Sequence, residues 1–482
     1  CGDNWEQAQI LLAKMRGAGL KPNMVTYTAL MKTCGKAGNF QQALSLLDEA
    51  RREGLRPNLI NYNVCMDACA KAGEVDQALS LLEHMKEHED EGLRPDLVSY
   101  NSAIHACANV GDWALALWLL SEVRMAGLQA DPYTFNSAIE ACKKGENHEA
   151  AVFLLGRMSA EGLAPDSYSY SSAISACRNG GDSATALTLL DEMKDHGVPP
   201  SEHQYNNAIE AVGREGDWAL ALSLLDSMRD EGIAPDAYTY GALIGACAKG
   251  RNPEMAGVLL EEMKKNGHAP SRFTWNSAIS VHARSGNTTA ALSYLEEMKE
   301  IMGCDETAFS SVVQGCAQKR DWKGAEILMT EMRASGITPN DACHYAVICS
   351  ASKAGNIEHA VELLGRMRDD NIPADPLAYT AVVTACAKAK HWRQAMALLE
   401  EMKTNGIKGT VTTYNAAIRA CSENHDLALL LLEDMRNQGL SPNTYSFSAA
   451  IAACAKAEKA DKALSLLDDM ARNGPKPNCE FV

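Results

Sequence analysis

Tyr205-Asn206-Asn207-Ala208-Ile209, then Gly216-Asp217, then Ala221-Leu222-Ser223-Leu224-Leu225-Asp226-Ser227-Met228, then Gly232-Ile233-Ala234-Pro235-Asp236: this stretch decides the fold, because it recurs along the chain. Strings beginning Val25-Thr26-Tyr27-Thr28, Val98-Ser99-Tyr100-Asn101, Tyr133-Thr134-Phe135-Asn136 and Tyr238-Thr239-Tyr240-Gly241 align with it in a unit of 35 residues. Units open at Met24, Leu59, Leu97, Pro132, Ser167, Glu202, Ala237, Arg272, Glu306, Asp341, Pro376, Val411 and Thr444, giving thirteen tandem repeats over residues 24–478. Ten are 35 residues long; the second carries three extra residues near Glu87 to Glu91, the eighth is one short and the twelfth two short. Residues 1–23 read as the second half of another repeat and 479–482 as the start of a further segment or tail. Any targeting segment or upstream domain is therefore expected outside this stretch.

Within a unit the pattern is helix, turn, helix. Tyr100, Ala103, Ile104 and Cys107 fall at i, i+3, i+4 and i+7, one apolar stripe of an α-helix; after the Gly111-Asp112 break, Trp113, Ala116, Leu117 and Leu120 form a second stripe. Units close on glycine and proline, as in Gly197-Val198-Pro199-Pro200, where Gly supplies a left-handed stop and Pro prevents continuation. One hairpin cannot bury its apolar face alone, but stacked hairpins can. The expected fold is all-α, a right-handed α-solenoid superhelix of about thirteen helix-turn-helix repeats.

Composition agrees with a folded chain. Of 482 residues, 46% are hydrophobic and 22% charged, which excludes wholesale disorder. No window of 18 uninterrupted apolar residues exists, so no membrane span is expected. The 16 cysteines resolve mostly into one address: position 11 is Cys in ten repeats, namely Cys34, Cys69, Cys107, Cys142, Cys177, Cys247, Cys316, Cys386, Cys421 and Cys454. Spacing of one repeat is not metal-ligand spacing, so these read as small buried packing residues in a reducing compartment. Position 4 is aromatic in twelve of thirteen repeats, His344 being the exception. Met158, Met193, Met228 and Met263, and Trp113, Trp218, Trp322 and Trp392, likewise read as packing.

The quoted unit resembles the pentatricopeptide repeat consensus, in the uniform 35-residue form of its pure type, over essentially the whole chain. The rival 34-residue tetratricopeptide pattern is absent. No deaminase His-x-Glu with Cys-x-x-Cys segment occurs, so editing chemistry is not expected. The resemblance implies an organellar protein, plastid or mitochondrial, that binds single-stranded RNA one base per repeat. It further implies reading by the fifth and last residues of each repeat, with position 2 side chains sandwiching the base. Helical geometry is compatible, since positions 2, 5, 9 and 13 lie opposite the apolar stripe at 4, 7, 8 and 11. A polar residue at position 5 thus has no core to satisfy, and its amide or hydroxyl is expected to be free for a base edge.

Carried over residue by residue, Asn63 with Asp96, Asn101 with Asp131, Asn136 with Asp166, Asn206 with Asp236, and Asn276 with Asp305 resemble uracil-preferring pairs. Thr28 with Asn58, Ser310 with Asn340, and Ser448 with Asn478 resemble adenine readers, and Asn415 with Asn443 a pyrimidine reader. Ser171 with Ser201, Gly241 with Ser271, Tyr345 with Asp375, and Thr380 with Thr410 depart from the family's pairs. The implied target, 5′ to 3′, is A-U-U-U-x-U-x-U-A-x-x-Y-A, rich in U with A. The expected stacking residues at position 2 are Val25, Ile60, Val98, Tyr133, Tyr168, Tyr238, Phe273 and Tyr445, whose apolar or aromatic faces suit base stacking.

A formal charge of −17 stands against a nucleic-acid partner until it is resolved by position. Positions 25 and 26, on the second helix, hold 18 acids and two bases. Position 13, on the first helix, holds Lys36, Lys71, Lys144, Arg214, Lys249, Arg284, Lys353, Lys388 and Lys456 against one acid, Glu423. The expected arrangement is an acidic back and a basic groove that contacts phosphate.

Other motifs imply little. His84 and His88 read as an exposed helix end, Cys65 and Cys69 lack a second pair, and Asn287-Thr288-Thr289 reads as a helix cap. No phosphate loop, nucleophile elbow or convergent carboxylate pair is present, so neither catalysis, nor a cofactor, nor a metal is expected. Two functions fit: a sequence-preferring RNA-binding protein in organellar RNA processing, stabilisation or translation, or a helical scaffold docking other proteins of an organellar transcription complex or ribosome.

Overall fold

The computed structural model describes residues 3–88, 92–369, 372 and 376–473. Among them are 27 α-helices and no strand. Two compact units form, Cys1–Gly250 and Arg251–Val482. After an initial helix Asp3–Gly17, first helices begin at Met24, Leu59, Leu97, Pro132, Ser167, Glu202, Ala237, Arg272, Glu306, Asp341, Pro376, Val411 and Thr444, each followed by a second helix. Within each unit every first helix packs on the first helix of the next repeat. A second helix that shares a unit with its own first helix packs on it and on the first helix that follows in that unit. The first helices thus make one layer and the second helices another, which is the all-α solenoid packing.

The sixth repeat shows how local chemistry makes the hairpin. Its first helix, Glu202–Glu215, stops at Gly216, whose φ of 85° is a conformation that only glycine adopts without strain. Asp217 then caps the second helix, Trp218–Asp230, by accepting from the Leu220 N–H. That helix ends where the Ile233 N–H reaches back to the Met228 carbonyl at 3.0 Å. Pro235 follows, and Asp236 opens the next first helix.

Tyr205, Ala208, Ile209 and Val212 are fully buried between repeats, as are Ala221 and Met228. A fully buried Leu, Ile or Met contributes about 1.5–3 kcal/mol by leaving water, so the repeated stripe carries the stability. The second-helix stripe runs through Ala116, Leu119, Leu120 and Val123. Trp113 and Leu117, expected on it, are only half-buried, because this helix meets two first helices and its contact arc is rotated by about a sixth of a turn. Trp113 instead lies against the next repeat, where a Cβ on Gly145 would sit 2.6 Å from its Cδ1; Trp218 stands in the same relation to Gly250.

All ten position-11 cysteines are buried, and burial pushes the thiols of Cys107, Cys142 and Cys177 up to about 12. They are protonated and inert at neutral pH. Met158, Met193, Met228 and Met263 are buried too. Glycine placement gives a test of this packing. A Cβ at Gly145 would lie 2.4 Å from the Gly111 carbonyl oxygen, whereas one at Gly156, inside the helix His148–Ala160, meets nothing within 4 Å. In urea unfolding, Gly156→Ala is expected to stabilise the chain by up to about 1 kcal/mol, and Gly145→Ala to destabilise it by about 1–3 kcal/mol. Changes of the same sign would refute this account.

Candidate nucleic-acid interface

The starts of five first helices bring three residues together. In the sixth repeat the Asn206 amide Nδ2 donates to Asp236 Oδ1 at 3.3 Å, and the Thr239 hydroxyl lies 2.7 Å from Asn206 Oδ1. Asp236 is at the same time the N-cap of the helix Ala237–Lys249, its carboxylate accepting from the Thr239 N–H at 2.7 Å. The same triangle joins Asn63, Asp96 and Ser99, then Asn101, Asp131 and Thr134, and Asn136, Asp166 and Ser169. In the second unit it joins Asn415, Asn443 and Ser446. Asn276 donates to Asp305 at 2.9 Å, but there the third residue is Ala308.

The fifth-position side chains are therefore not free, and the sequence-based expectation is corrected on this point. Asn101 is 8% and Asn206 5% exposed, because the next repeat begins directly over them. One amide N–H of each remains beyond the bond to the carboxylate. The last residue is the more open member: Asp96, Asp131 and Asp236 are half-buried, Asn58 and Asp166 exposed. Burial pushes the carboxyls of Asp166 and Asp236 up, but the backbone N–H, the hydroxyl and the Asn amide outweigh it and hold both below the ordinary range.

The adenine-type pairs are arranged differently. Thr28 donates to the Met24 carbonyl and accepts from Asn61 Nδ2 at 2.6 Å, while Asn58 caps its helix in a capping box with Asn61. Asn340 turns to Glu306 at 2.8 Å and away from Ser310, whose hydroxyl meets Cys343 Sγ instead. Ser448 is described, but its partner Asn478 lies outside the described residues, as do Asp375 and the segment 479–482.

Position 2 presents its side chains to solvent. Val25, Ile60, Val98, Tyr133, Tyr168, Tyr238, Phe273 and Tyr445 are all more than half exposed, the last 76%. Packing between repeats does not account for them. Tyr168 is also tied by its hydroxyl to Glu140 at 3.3 Å, and Tyr238 to Glu210, so these rings are steered by the preceding repeat.

The nine position-13 bases are exposed. Several lean on the C-terminal carbonyls of the preceding first helix: Lys144 on Asn109, Arg214 on Arg178 at 3.0 Å, and Lys249 on Arg214. That position complements the helix dipole as well as offering charge to a ligand. The acidic stripe is also less bare than its count. A base at position 28 reaches the acid of the following repeat, as in Lys86 with Glu122 at 2.7 Å and Lys264 with Glu297 at 2.6 Å. These inter-repeat pairs escape a reading of one repeat at a time. They reduce the contrast between an acidic back and a basic groove, each pair being worth at most about 1 kcal/mol at this exposure.

His84, Glu87 and His88 bring three donor atoms within 4.8 Å of one another, with the Arg51 guanidinium 2.6 Å from His84 Nε2. A cation there would have to displace that arginine.

Models of the pentatricopeptide repeat match almost end to end. The pentatricopeptide repeat domain matches residues 4–37, 223–284, 362–424 and 430–481, and the PPR repeat family residues 22–71. The pentacotripeptide-repeat region of PRORP matches 94–223, and the PPR repeat 60–89, 273–301, 307–337 and 344–372. The chain belongs to the pentatricopeptide repeat family. Maize PPR10 shares this family fold with a TM-score of 0.55 at 22% identity, over 99% of this chain and 78% of PPR10. PPR10 in complex with an 18-nt psaJ RNA element superposes at 0.42 with the same identity and coverage. Yeast Rmd9p in complex with a 16-nt target RNA gives 0.38 at 12% identity, over 91% of this chain and 97% of Rmd9p. No curated protein sequence matches.

The lowered carboxyl groups give this pentatricopeptide repeat chain a defined acid response. A carboxylate held below its unfolded value of about 3.9 contributes fully above that pH and loses its contribution as pH falls through the native value. Asn at the same site still caps but does not titrate. Between about pH 5 and pH 2, Asp166→Asn with Asp236→Asn is expected to lose less unfolding free energy than wild type. Parallel acid limbs would contradict the bonding assigned to these two groups.

Proposed function

We propose that the chain binds single-stranded RNA along its first-helix face, one base per repeat, with uracil preferred at the Asn and Asp pairs. The observation that carries this reading is a coincidence at the junctions with Asn and Asp. A polar pair with an amide N–H and a carboxylate lies at the start of a first helix whose position 2, as in Val98, Tyr133, Tyr168 and Tyr238, exposes a flat or branched apolar side chain. An acceptor-rich base edge and a stacking face are what such a pocket complements. Family membership supports the reading, as does PPR10, a protein of the same fold that has been solved with RNA. The adenine-type pairs Thr28 with Asn58 and Ser310 with Asn340 complete a preferred target rich in U with A, and the position-13 bases supply phosphate contacts. The place of action we infer is a plastid or mitochondrion, in RNA processing, stabilisation or translation. Holding a strand extended blocks nucleases and competing hairpins without any chemistry by the protein.

A second reading, docking of other proteins of a gene-expression complex, is favoured by one feature. Position 22 of the second helices exposes Trp118, Phe153, Val258 and Ile327, the last 67% open, on the layer away from the reading residues. The two readings use different faces.

RNA affinity against salt separates them. Asn206→Thr with Asp236→Asn is expected to move the preference at the sixth base from uracil to adenine by about tenfold while leaving the salt slope unchanged. Equal, weak binding to every RNA would leave only the docking reading.

A further inference from the structure

We infer that, where the fifth residue of a repeat is Asn, the third residue of the following repeat is a positioning residue for base reading, and that among these junctions Ala308 is the point where this device is missing. The inference rests on the RNA reading proposed above.

An asparagine amide carries one acceptor oxygen and two N–H donors. A carboxylate can only accept, so Asp236 fixes which end of Asn206 faces it: Nδ2, at 3.3 Å. The oxygen is then turned toward the next helix, where water does not reach it. In five repeats a hydroxyl meets it there: Ser99 on Asn63 at 2.7 Å, Thr134 on Asn101 at 2.6 Å, Ser169 on Asn136 at 2.6 Å, Thr239 on Asn206 at 2.7 Å, and Ser446 on Asn415. All five hydroxyl residues are buried. Each hydroxyl has one proton and also lies near the closing residue's side-chain oxygen, as Thr239 does at 2.8 Å from Asp236 Oδ1. It therefore bridges the two acceptors and ties the Asn oxygen to the junction that already holds its Nδ2, which restricts the direction of the second N–H.

The third residue follows the chemistry of the fifth. Where the fifth is Thr28, the third is Asn61, which donates where a serine would compete. Thr380 meets Thr413 at 2.6 Å. The eighth repeat breaks the pattern. Asp305 holds Asn276 Nδ2 at 2.9 Å, but the third residue is Ala308, and Asn276 Oδ1 is a buried acceptor with no partner among the described residues. Such an acceptor gains by swinging out toward water, and swinging out moves the N–H that would face the base. The eighth pair therefore has the residues of a uracil reader without the lock.

Two substitutions test this in opposite directions, using the full chain and 13-nucleotide RNAs of the A-U-U-U-x-U-x-U-A-x-x-Y-A type with single changes at the sixth or eighth base. Wild type is expected to discriminate uracil from cytosine more strongly at the sixth base than at the eighth. Ala308→Ser should raise discrimination at the eighth about five- to tenfold, one hydrogen bond's worth, and leave the sixth unchanged. Thr239→Val should lower the sixth by a similar factor, and Thr239→Ser should retain it. A cap lost merely as structure would weaken all these RNAs alike, so a uniform change, or unchanged ratios in a wild type that discriminates, overturns the proposal. A wild type that binds every RNA alike would defeat the RNA reading itself. The lock is then judged without RNA, by NMR exchange of the Asn276 side-chain amide protons with water. Slower exchange in Ala308→Ser sustains the lock, and unchanged exchange refutes it.

Discussion

Each first helix begins with backbone N–H groups that have no partner within the helix, and among the described residues the one that closes the preceding repeat supplies a partner. Asn58, Asp96, Asp131, Asp166, Ser201, Asp236, Ser271, Asp305, Asn340, Thr410 and Asn443 are all N-caps whose side chains accept from the helix they open. Helix starts accept a short alphabet, Asp, Asn, Ser and Thr. That alphabet is also the one available for reading a base at this place. Under the RNA reading proposed above, folding and recognition would draw on one side chain, and the last residue of a repeat varies only among groups that can cap.

Stacking depends on the same junction. The cap sets where one hairpin ends and the next begins, and the buried stripe then has to close over a short distance. Alanine, cysteine and glycine at positions 10 to 12 permit that approach: a Cβ on Gly213 would come within 3.0 Å of Ala246. The aromatic residue at position 4 fills the wider space beneath. Where it is tyrosine, its hydroxyl is placed at the edge of the core, where Lys194 meets Tyr205 at 2.9 Å and Asp434 meets Tyr414 at 2.9 Å. Cysteine at position 11 is explained by volume alone, and its raised pKa follows from that burial.

The period, the helix pair and the stripes were legible because helical periodicity is written within one unit. The exposure of Tyr168 and Tyr445 was legible for the same reason, from the face opposite the core. What stayed hidden lies between units. The engagement of Asn206 depends on Thr239, 33 residues on, and a reading of one hairpin as an isolated helix leaves that amide free. A signal existed in the capping pattern Asp236-Ala237-Tyr238-Thr239, whose fourth residue belongs to a capping box. The rotated stripe of the second helix was missed because an isolated helix has one contact arc, whereas here Leu119 and Val123 face two neighbours.

Charge works by the same inter-repeat logic. A sum of −17 weighs every side chain equally, but a phosphate senses what lies within about a Debye length, ~8 Å at physiological salt. Glu122 and Glu297 are matched by the lysines of the preceding repeat, and Lys144 and Arg214 rest on helix carbonyls that carry partial negative charge. Both stripes are thereby muted, the basic one as well as the acidic one. Under the RNA reading, a strand lying on the first-helix face would meet exposed position-13 bases whose charge is partly offset by the carbonyls they rest on. Stacking on position 2 and the gripped amides would add the contributions that depend on which base is present.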